Sequence, residues 1–86
     1  MKADDDKVMQ IYGIYLHKKG EHKKALEQYK RAERVNSNSP ELQYNIGLLY
    51  YDMKDYESAQ IYADKAYAGG YPLPGLKRLL ARVKEN

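Results

Sequence analysis

The sequence predicts an all-α fold of five short antiparallel helices. Apolar residues recur at three- and four-residue spacing, and no segment shows the two-residue alternation of a half-buried strand. Helix start and stop signals divide the chain into five such segments, joined by short turns that favour antiparallel neighbours. The chain also resembles itself when it is shifted by 34 residues, which indicates a repeated helical hairpin.

The first predicted helix begins after an acidic run, Asp4, Asp5 and Asp6. Acidic residues at this end can cap free N–H groups and oppose the helix dipole. An apolar stripe follows at once and consists of Val8, Ile11, Tyr12, Tyr15 and Leu16. The helix should end near Lys18, Lys19 and Gly20, because lysines followed by glycine are a usual stop signal.

The next three helices have equally clear limits. The second is predicted over about residues 21–35, and its inward stripe is Ala25, Tyr29 and Ala32, with Leu26 beside it. Ser39 is a natural N-cap and Pro40 a natural first residue for the third helix, which should run to about Met53. The fourth is predicted from about Tyr56 to Ala68, where Gly69 and Gly70 stop it. A loop then leads to a fifth helix with Leu76, Leu79, Leu80 and Val83 on one face.

Small residues coincide when the chain is shifted by 34 positions. Gly13 falls on Gly47, and the shift also superimposes Ala25 on Ala59, Ala32 on Ala66, Pro40 on Pro74 and Leu42 on Leu76. A glycine inside a helix costs roughly 1 kcal/mol relative to alanine, so its recurrence needs a compensating gain in packing. We therefore expect Gly13 and Gly47 to face Ala25 and Ala59 on the paired helices, where two backbones approach closely.

These residues resemble the tetratricopeptide repeat (TPR) family, a 34-residue helix–turn–helix unit. The matching residues of the first unit are Tyr12, Gly13, Leu16, Gly20, Ala25, Tyr29 and Ala32, and those of the second are Ile46, Gly47, Tyr50, Tyr56, Ala59 and Ala66. The resemblance implies a right-handed α-solenoid that forms one domain over residues 1–86. Repeat 1 would cover about residues 6–39, repeat 2 about 40–73, and a C-terminal capping helix about 74–85.

The resemblance also implies a function. The first helix of each unit would line a concave groove, and the protein would be a non-catalytic protein–protein interaction module that binds a peptide or protein segment there. The implied groove residues are Gln10, Ile14, His17, Tyr44, Asn45, Leu48, Tyr51, Arg78 and Arg82, with Lys18 and Asp52 on the same faces. Tyr44 and Tyr51 would form an aromatic floor, and Arg78 or Arg82 would pair with a carboxylate of the segment.

Charge leaves two alternatives to peptide binding. Residues 1–36, 37–71 and 72–86 carry net charges of +3, −3 and +3, which sum to the +3 of the chain and could favour end-to-end contacts in a self-associating homo-oligomer. The first hairpin is basic and could attract nucleic acid. Glutamates interleave with its lysines and arginines at helical spacing, as on an ordinary solvated face, so nucleic acid is the least favoured partner.

Other classes of protein lack support in the sequence. The absence of Cys excludes disulfides and thiolate metal sites, and no apolar run approaches the roughly 18 residues of a membrane span. Residues 1–20 lack the apolar core of a secretory signal. We therefore expect a soluble chain, and the sequence does not distinguish a cytoplasmic from a periplasmic location. No catalytic spacing or phosphate loop occurs, so we expect no enzyme activity and no cofactor. His17 and His22, with Glu21 nearby, are candidate metal ligands, but the pattern is too weak for us to predict a metal site.

Overall fold

Five α-helices make up the structure, a computed structural model that describes residues 6–85. The helices are α1 (Asp6–Lys18), α2 (His22–Val35), α3 (Pro40–Asp52), α4 (Tyr56–Ala68) and α5 (Gly75–Glu85). Between residues 6 and 85 the remaining chain forms turns and short connections, with no strand. The predicted all-α class is therefore confirmed. The proposed capping aspartates Asp4 and Asp5 lie outside the described residues.

The helix ends follow the local sequence. Ser39 Oγ accepts a hydrogen bond from Leu42 N at 3.2 Å, which satisfies one of the free N–H groups at the start of α3. Pro40 occupies the first helical position, where its missing N–H costs nothing. Asp55 plays the same part for α4, because its Oδ1 accepts from Ser58 N at 3.1 Å. The predicted N-cap at Ser39 is confirmed, and α3 ends at Asp52, one residue earlier than predicted.

Two antiparallel hairpins, α1–α2 and α3–α4, carry most of the packing. The alanines of the repeat pattern, Ala25, Ala32, Ala59 and Ala66, are completely buried. The second hairpin docks on the first through three apolar residues of α3, which join the core cluster of α1 and α2: Leu42, Ile46 and Leu49. In the same way α5 docks on the second hairpin through Leu76 and Leu80. The buried face of one hairpin is thus completed by the next helix pair or helix.

The glycine contacts differ from the prediction that Gly13 faces Ala25 and Gly47 faces Ala59. A Cβ added to Gly13 would lie 2.5 Å from Cε1 of Tyr29, so this glycine makes room for an aromatic ring. A Cβ added to Gly47 would lie 2.5 Å from Cδ2 of Leu76, and 3.5 Å from the backbone oxygen of Ala59. For Gly13, the tightest contact is with Tyr29 rather than with the predicted Ala25. For Gly47, the Ala59 backbone is near, but the tightest contact is with α5.

A network of tyrosines holds the connection between α4 and α5. Tyr67 Oη donates to the backbone oxygen of Leu73 at 2.8 Å and accepts from Lys77 N at 3.1 Å. The ring of Tyr71 stacks on that of Tyr44, with centroids 4.2 Å apart and planes 27° apart. These contacts fix the direction in which the chain enters α5. Within residues 6–85 no helix is both long enough and apolar enough to cross a membrane.

Candidate peptide-binding groove

A groove of about 490 Å³ lies where α1 and α3 run side by side. It is lined by Ile14, His17 and Lys18 of α1, by Asn45, Leu48 and Asp52 of α3, and by Tyr29 of α2 at its base. The lining residues of α1 occur at three- and four-residue spacing, and so do those of α3, which places each set on one face of its helix. The hairpin packing described above holds the two faces toward the same opening.

The base of the groove is apolar. Ile14 packs against the core cluster of the first hairpin, and Leu48 packs against the cluster formed by the second hairpin and α5. Tyr29 also lines the groove and has only 1% of its surface exposed. Burial raises the pKa of the Tyr29 hydroxyl, so the phenol is neutral at physiological pH. The base therefore suits an apolar side chain of a bound segment.

Two polar contacts connect the walls of the groove. Asn45 Nδ2 donates to Oε1 of the buried Gln10 at 3.1 Å. Seven residues further along both helices, His17 Nε2 lies 2.6 Å from Asp52 Oδ2. This distance is short enough for a hydrogen bond or an ion pair. Each contact joins α1 to α3, and together they set the separation of the two helices over about two turns. Polar pairs that are already formed orient a site before its ligand arrives, which lowers the cost of binding.

The rim of the groove carries charge of both signs. Lys18 is exposed on one side, and the carboxylate of Asp52 is about half exposed on the other. The His17–Asp52 pair has the form of two members of a catalytic triad, but none of the described lining residues supplies a serine, threonine or cysteine nucleophile. No group of three or more metal-ligating side chains occurs between residues 6 and 85. The described lining residues supply groups for hydrogen bonding, ion pairing and apolar contact.

The structure brings together five of the nine residues that the sequence placed in the groove: Gln10, Ile14, His17, Asn45 and Leu48. Lys18 and Asp52 join them at the rim. Tyr29 was predicted only as part of the α2 core stripe. The signal that could have found it is Gly13: a glycine opposite a tyrosine leaves room for the ring to reach through to the groove side of α1.

Tyr44 corrects the predicted aromatic floor. It has 8% of its surface exposed and belongs to the buried cluster beneath α5, with its ring stacked on Tyr71. The reason is α5 itself: a Cβ added to Gly75 would lie 2.7 Å from the Tyr44 hydroxyl, so the first turn of that helix covers the ring. Tyr51 is half-buried, 5.5 Å from the ring of Tyr56, and does not line the groove.

Arg78 and Arg82 are exposed on α5 and lie outside the groove lining. Their pairing with a carboxylate of a bound segment stays a prediction. A segment that touched both the groove and these arginines would have to extend along α3 to the C-terminal helix.

Comparisons with known proteins agree with the helical repeat. Residues 15–54 match a family model described as TPR repeat. Over 50 residues the chain is 40% identical to intraflagellar transport protein 70A of Danio rerio, an alignment that covers 58% of this chain and 8% of that protein. The chain thus spans less than a tenth of the length of this curated relative. The matched family segment runs from the second half of α1 to the turn after α3, and so contains most of the groove.

Proposed function

We propose that this chain, whose residues 15–54 match a TPR repeat model, is a non-catalytic module that binds an extended peptide segment in the groove between α1 and α3. The observation that carries the proposal is the groove itself. An apolar base, Ile14 and Leu48, lies between preformed polar contacts and a charged rim. This combination of a few oriented polar groups around an apolar base is typical of sites that bind small ligands and peptides.

The groove indicates the chemistry of the segment. An apolar side chain would lie on Ile14 and Leu48, where it removes apolar surface from water at about 25 cal/mol per Å². An acidic side chain or a terminal carboxylate would pair with Lys18, the exposed cation at the rim. Asp52 on the opposite side already contacts His17, so we expect it to orient the histidine rather than to recruit a basic residue. The preferred segment is therefore apolar with an adjacent acidic group.

The experiment selects ligands and then tests their location. Peptides are selected on the purified chain from a displayed random library, and their affinities are measured by isothermal titration calorimetry. We expect the selected peptides to combine apolar and acidic residues. Lys18→Glu should weaken them at least about tenfold, since a charge-assisted contact to a carboxylate at this exposed position is worth about 1.5 kcal/mol, the lower end of the usual range. Leu48→Asn should weaken them through loss of the apolar contact.

Matched controls separate the groove from general effects. Lys23→Glu makes the same charge change on an exposed position of α2 outside the groove, and Ile61→Asn makes the same polar change on an exposed position of α4. Both should leave peptide affinity unchanged. Thermal unfolding of each variant checks that Leu48→Asn still folds. The proposal fails if Lys18→Glu and Lys23→Glu weaken binding equally, or if neither groove variant changes it.

Nucleic acid is tested in the same series. In the first hairpin Lys24 pairs with Glu21 and Lys30 with Glu33, each at 3.2 Å, so part of the positive charge is already neutralised. Binding to a single-stranded oligonucleotide should be weak. Affinity for an oligonucleotide that falls steeply with salt concentration, and that Lys23→Glu reduces, would point to a nucleic-acid surface instead.

A further inference from the structure

An apolar stripe on α1 faces solvent and takes no part in the groove base or in either core cluster. It consists of Val8, Ile11, Tyr12 and Tyr15, whose exposed fractions are 60%, 67%, 49% and 54%. The spacing is three, four and seven residues, so all four side chains lie on one face of the helix. The rings of Tyr12 and Tyr15 are stacked, with centroids 6.3 Å apart. Single exposed apolar residues are ordinary, whereas a contiguous stripe of four marks an interaction surface.

The repeat explains why this face is apolar. Shifted by 34 residues, Val8, Tyr12 and Tyr15 fall on Leu42, Ile46 and Leu49 of α3. Those three residues are buried, since they dock α3 on the first hairpin. One repeat later, Leu76 and Leu80 of α5 do the same on the second hairpin. The stripe on α1 thus stands at the docking positions of the fold, and within residues 6–85 no element covers it.

The stripe matches a second copy of itself in the antiparallel direction. Its midpoint falls between Ile11 and Tyr12, and Val8 and Tyr15 lie equally far on either side. A two-fold axis through that midpoint therefore sets Val8 against Tyr15 of the second copy, and Ile11 against Tyr12. The contact is isologous and closes at two copies, as in most soluble dimers.

Charge favours the antiparallel direction. Asp6 opens α1 with Lys7 beside it, and Asp4 and Asp5 precede it in the sequence, so residues 4–7 carry a net charge of −2, whereas Lys18 and Lys19 stand at the other end of the helix. Lys19 Nζ lies 5.3 Å from the ring centroid of Tyr15, so its charge is at the edge of the stripe. Antiparallel packing brings the basic end of one helix to the acidic end of the other and opposes the two helix dipoles. Parallel packing would place like charges together.

We propose that two copies of this chain form a homodimer through antiparallel packing of their α1 stripes. The four side chains offer on the order of 400 Å² per copy, which places the contact among the small, transient interfaces. The dimer is consequently weak and forms as concentration rises. None of the four stripe residues lines the groove between α1 and α3, so Leu48→Asn tests peptide binding and Ile11→Glu tests the dimer separately.

Sedimentation equilibrium of the full chain from about 10 μM to 1 mM tests the proposal. We expect a monomer–dimer equilibrium, and Ile11→Glu should raise the dissociation constant at least tenfold. The side chain of Ile11 is largely in solvent in the single chain, so the melting temperature of the dilute variant should not change. Ile61→Glu is the matched control: Ile61 is 51% exposed on α4, and its replacement should leave dimerisation intact.

Two further variants test the direction of packing. Lys19→Glu should weaken an antiparallel dimer, because it brings acidic residues together, and should not weaken a parallel one, in which like charges face each other before and after the change. The chain has no cysteine, so single cysteines report proximity. Ile11→Cys, next to the two-fold axis, should form a disulfide-linked dimer on oxidation. Val8→Cys should not, because its two copies are offset by about 10 Å along the helix axis.

Three results would overturn the proposal. One is a chain that remains monomeric up to 1 mM. Another is the combination of two findings: Ile61→Glu reduces association as much as Ile11→Glu does, and species larger than a dimer form. That combination would show a head-to-tail contact between different faces of the molecule. The third is equal cross-linking of Val8→Cys and Ile11→Cys, which would show parallel packing.

Discussion

Among residues 6–85, Lys54 is the residue other than glycine with a positive φ, at 65°. Shifted back by 34 positions it falls on Gly20, whose φ is 82°. Both residues follow the first helix of a hairpin and turn the chain toward the second. A Cβ added to Gly20 would meet no atom within 4 Å, so only backbone conformation favours glycine there. The second hairpin thus makes the same turn with lysine, an L-residue for which the left-handed conformation is unfavourable.

Replacing Lys54 by glycine should stabilise the protein. A left-handed conformation costs an L-residue roughly 1–2 kcal/mol, and part of the gain is lost because glycine adds entropy to the unfolded chain. We expect Lys54→Gly to raise the free energy of unfolding by about 0.5–1 kcal/mol and the melting temperature by a few degrees. Thermal and urea unfolding followed by circular dichroism measure both quantities.

Lys54→Ala is the control for Lys54→Gly. It removes the same charge and side chain but keeps the strained backbone, so its stability should stay close to that of the parent. If the alanine variant gains as much as the glycine variant, side-chain removal rather than conformation is responsible. Gly20→Ala should move in the opposite direction, by about 1 kcal/mol, because it introduces the strain into the first hairpin.

At the scale of the helix, the two interior glycines make different contacts. Gly13 of α1 faces the ring of Tyr29 within its own hairpin, and Gly47 of α3 faces a terminal methyl of Leu76 on α5. The aromatic ring is rigid and lies in the core of the first hairpin, whereas Leu76 Cδ2 is the end of a side chain with two rotatable bonds. The same substitution should therefore have different costs at the two sites.

We expect Gly13→Ala to destabilise the protein by about 1–3 kcal/mol, as overpacking against a fixed neighbour usually does. Gly47→Ala should cost less, because rotation of Leu76 relieves part of the contact and alanine adds helix propensity of up to about 1 kcal/mol. Urea unfolding should show lower midpoints with an unchanged dependence on denaturant. A Gly47→Ala variant less stable than Gly13→Ala would contradict this ranking of the two contacts.

The same two glycines show what the sequence could and could not predict. Periodicity of apolar and small residues predicted five helices, their limits and the N-cap at Ser39, because these depend on neighbours along the chain. The residue that contacts Gly13 depends on the rotation of α2 about its axis, which a 34-residue period does not specify. Tyr44 was misplaced for a related reason: Tyr71 and Gly75 cover it from a connection that departs from the repeat.

The groove was predictable to the extent that it follows the repeat. Ile14 and Leu48 are repeat equivalents, and both lie at its base. The pairing of His17 with Asp52 was not predicted, since the repeat does not mark it: His17 corresponds to Tyr51 in the second unit, and Asp52 corresponds to Lys18 in the first. Contacts of this kind arise from the offset between α1 and α3, which only the packed structure shows.

In the molecule as a whole, extending over 46 × 27 × 17 Å, tyrosines connect the two hairpins. Tyr62 of α4 lies with its ring 5.7 Å from that of Tyr50, and its hydroxyl donates to Glu33 Oε2 at 2.8 Å on α2. Lys30 Nζ donates to the same hydroxyl at 2.7 Å. This network ties the second helix of one hairpin to the second helix of the next.

Tyrosines that are buried or partly buried make stability sensitive to alkaline pH. Burial raises the pKa of Tyr29 in the first cluster, of Tyr62 between the hairpins and of Tyr71 beside α5. Below pH 10, the usual pKa of a tyrosine, folded and unfolded chains both keep these protons, and stability is complete. Above pH 10 the unfolded chain releases protons that the folded chain retains. Stability is therefore lost as the pH rises toward the folded pKa values, by up to about 1.4 kcal/mol per pH unit for each tyrosine.

Tyr29→Phe isolates one of these contributions. The phenylalanine keeps the ring beneath Gly13, so stability at pH 7 should change by less than about 1 kcal/mol. Between pH 10 and 11 the variant should lose about 1 kcal/mol less than the parent, because it no longer contributes a proton that only the unfolded chain releases. Tyr15→Phe, at a half-exposed position of α1, should lose stability as the parent does. Urea midpoints at pH 7, 10 and 11 give the comparison. If stability falls with pH in the same way for Tyr29→Phe and the parent, the Tyr29 hydroxyl ionises as readily in the folded chain as in the unfolded one, and the prediction is wrong.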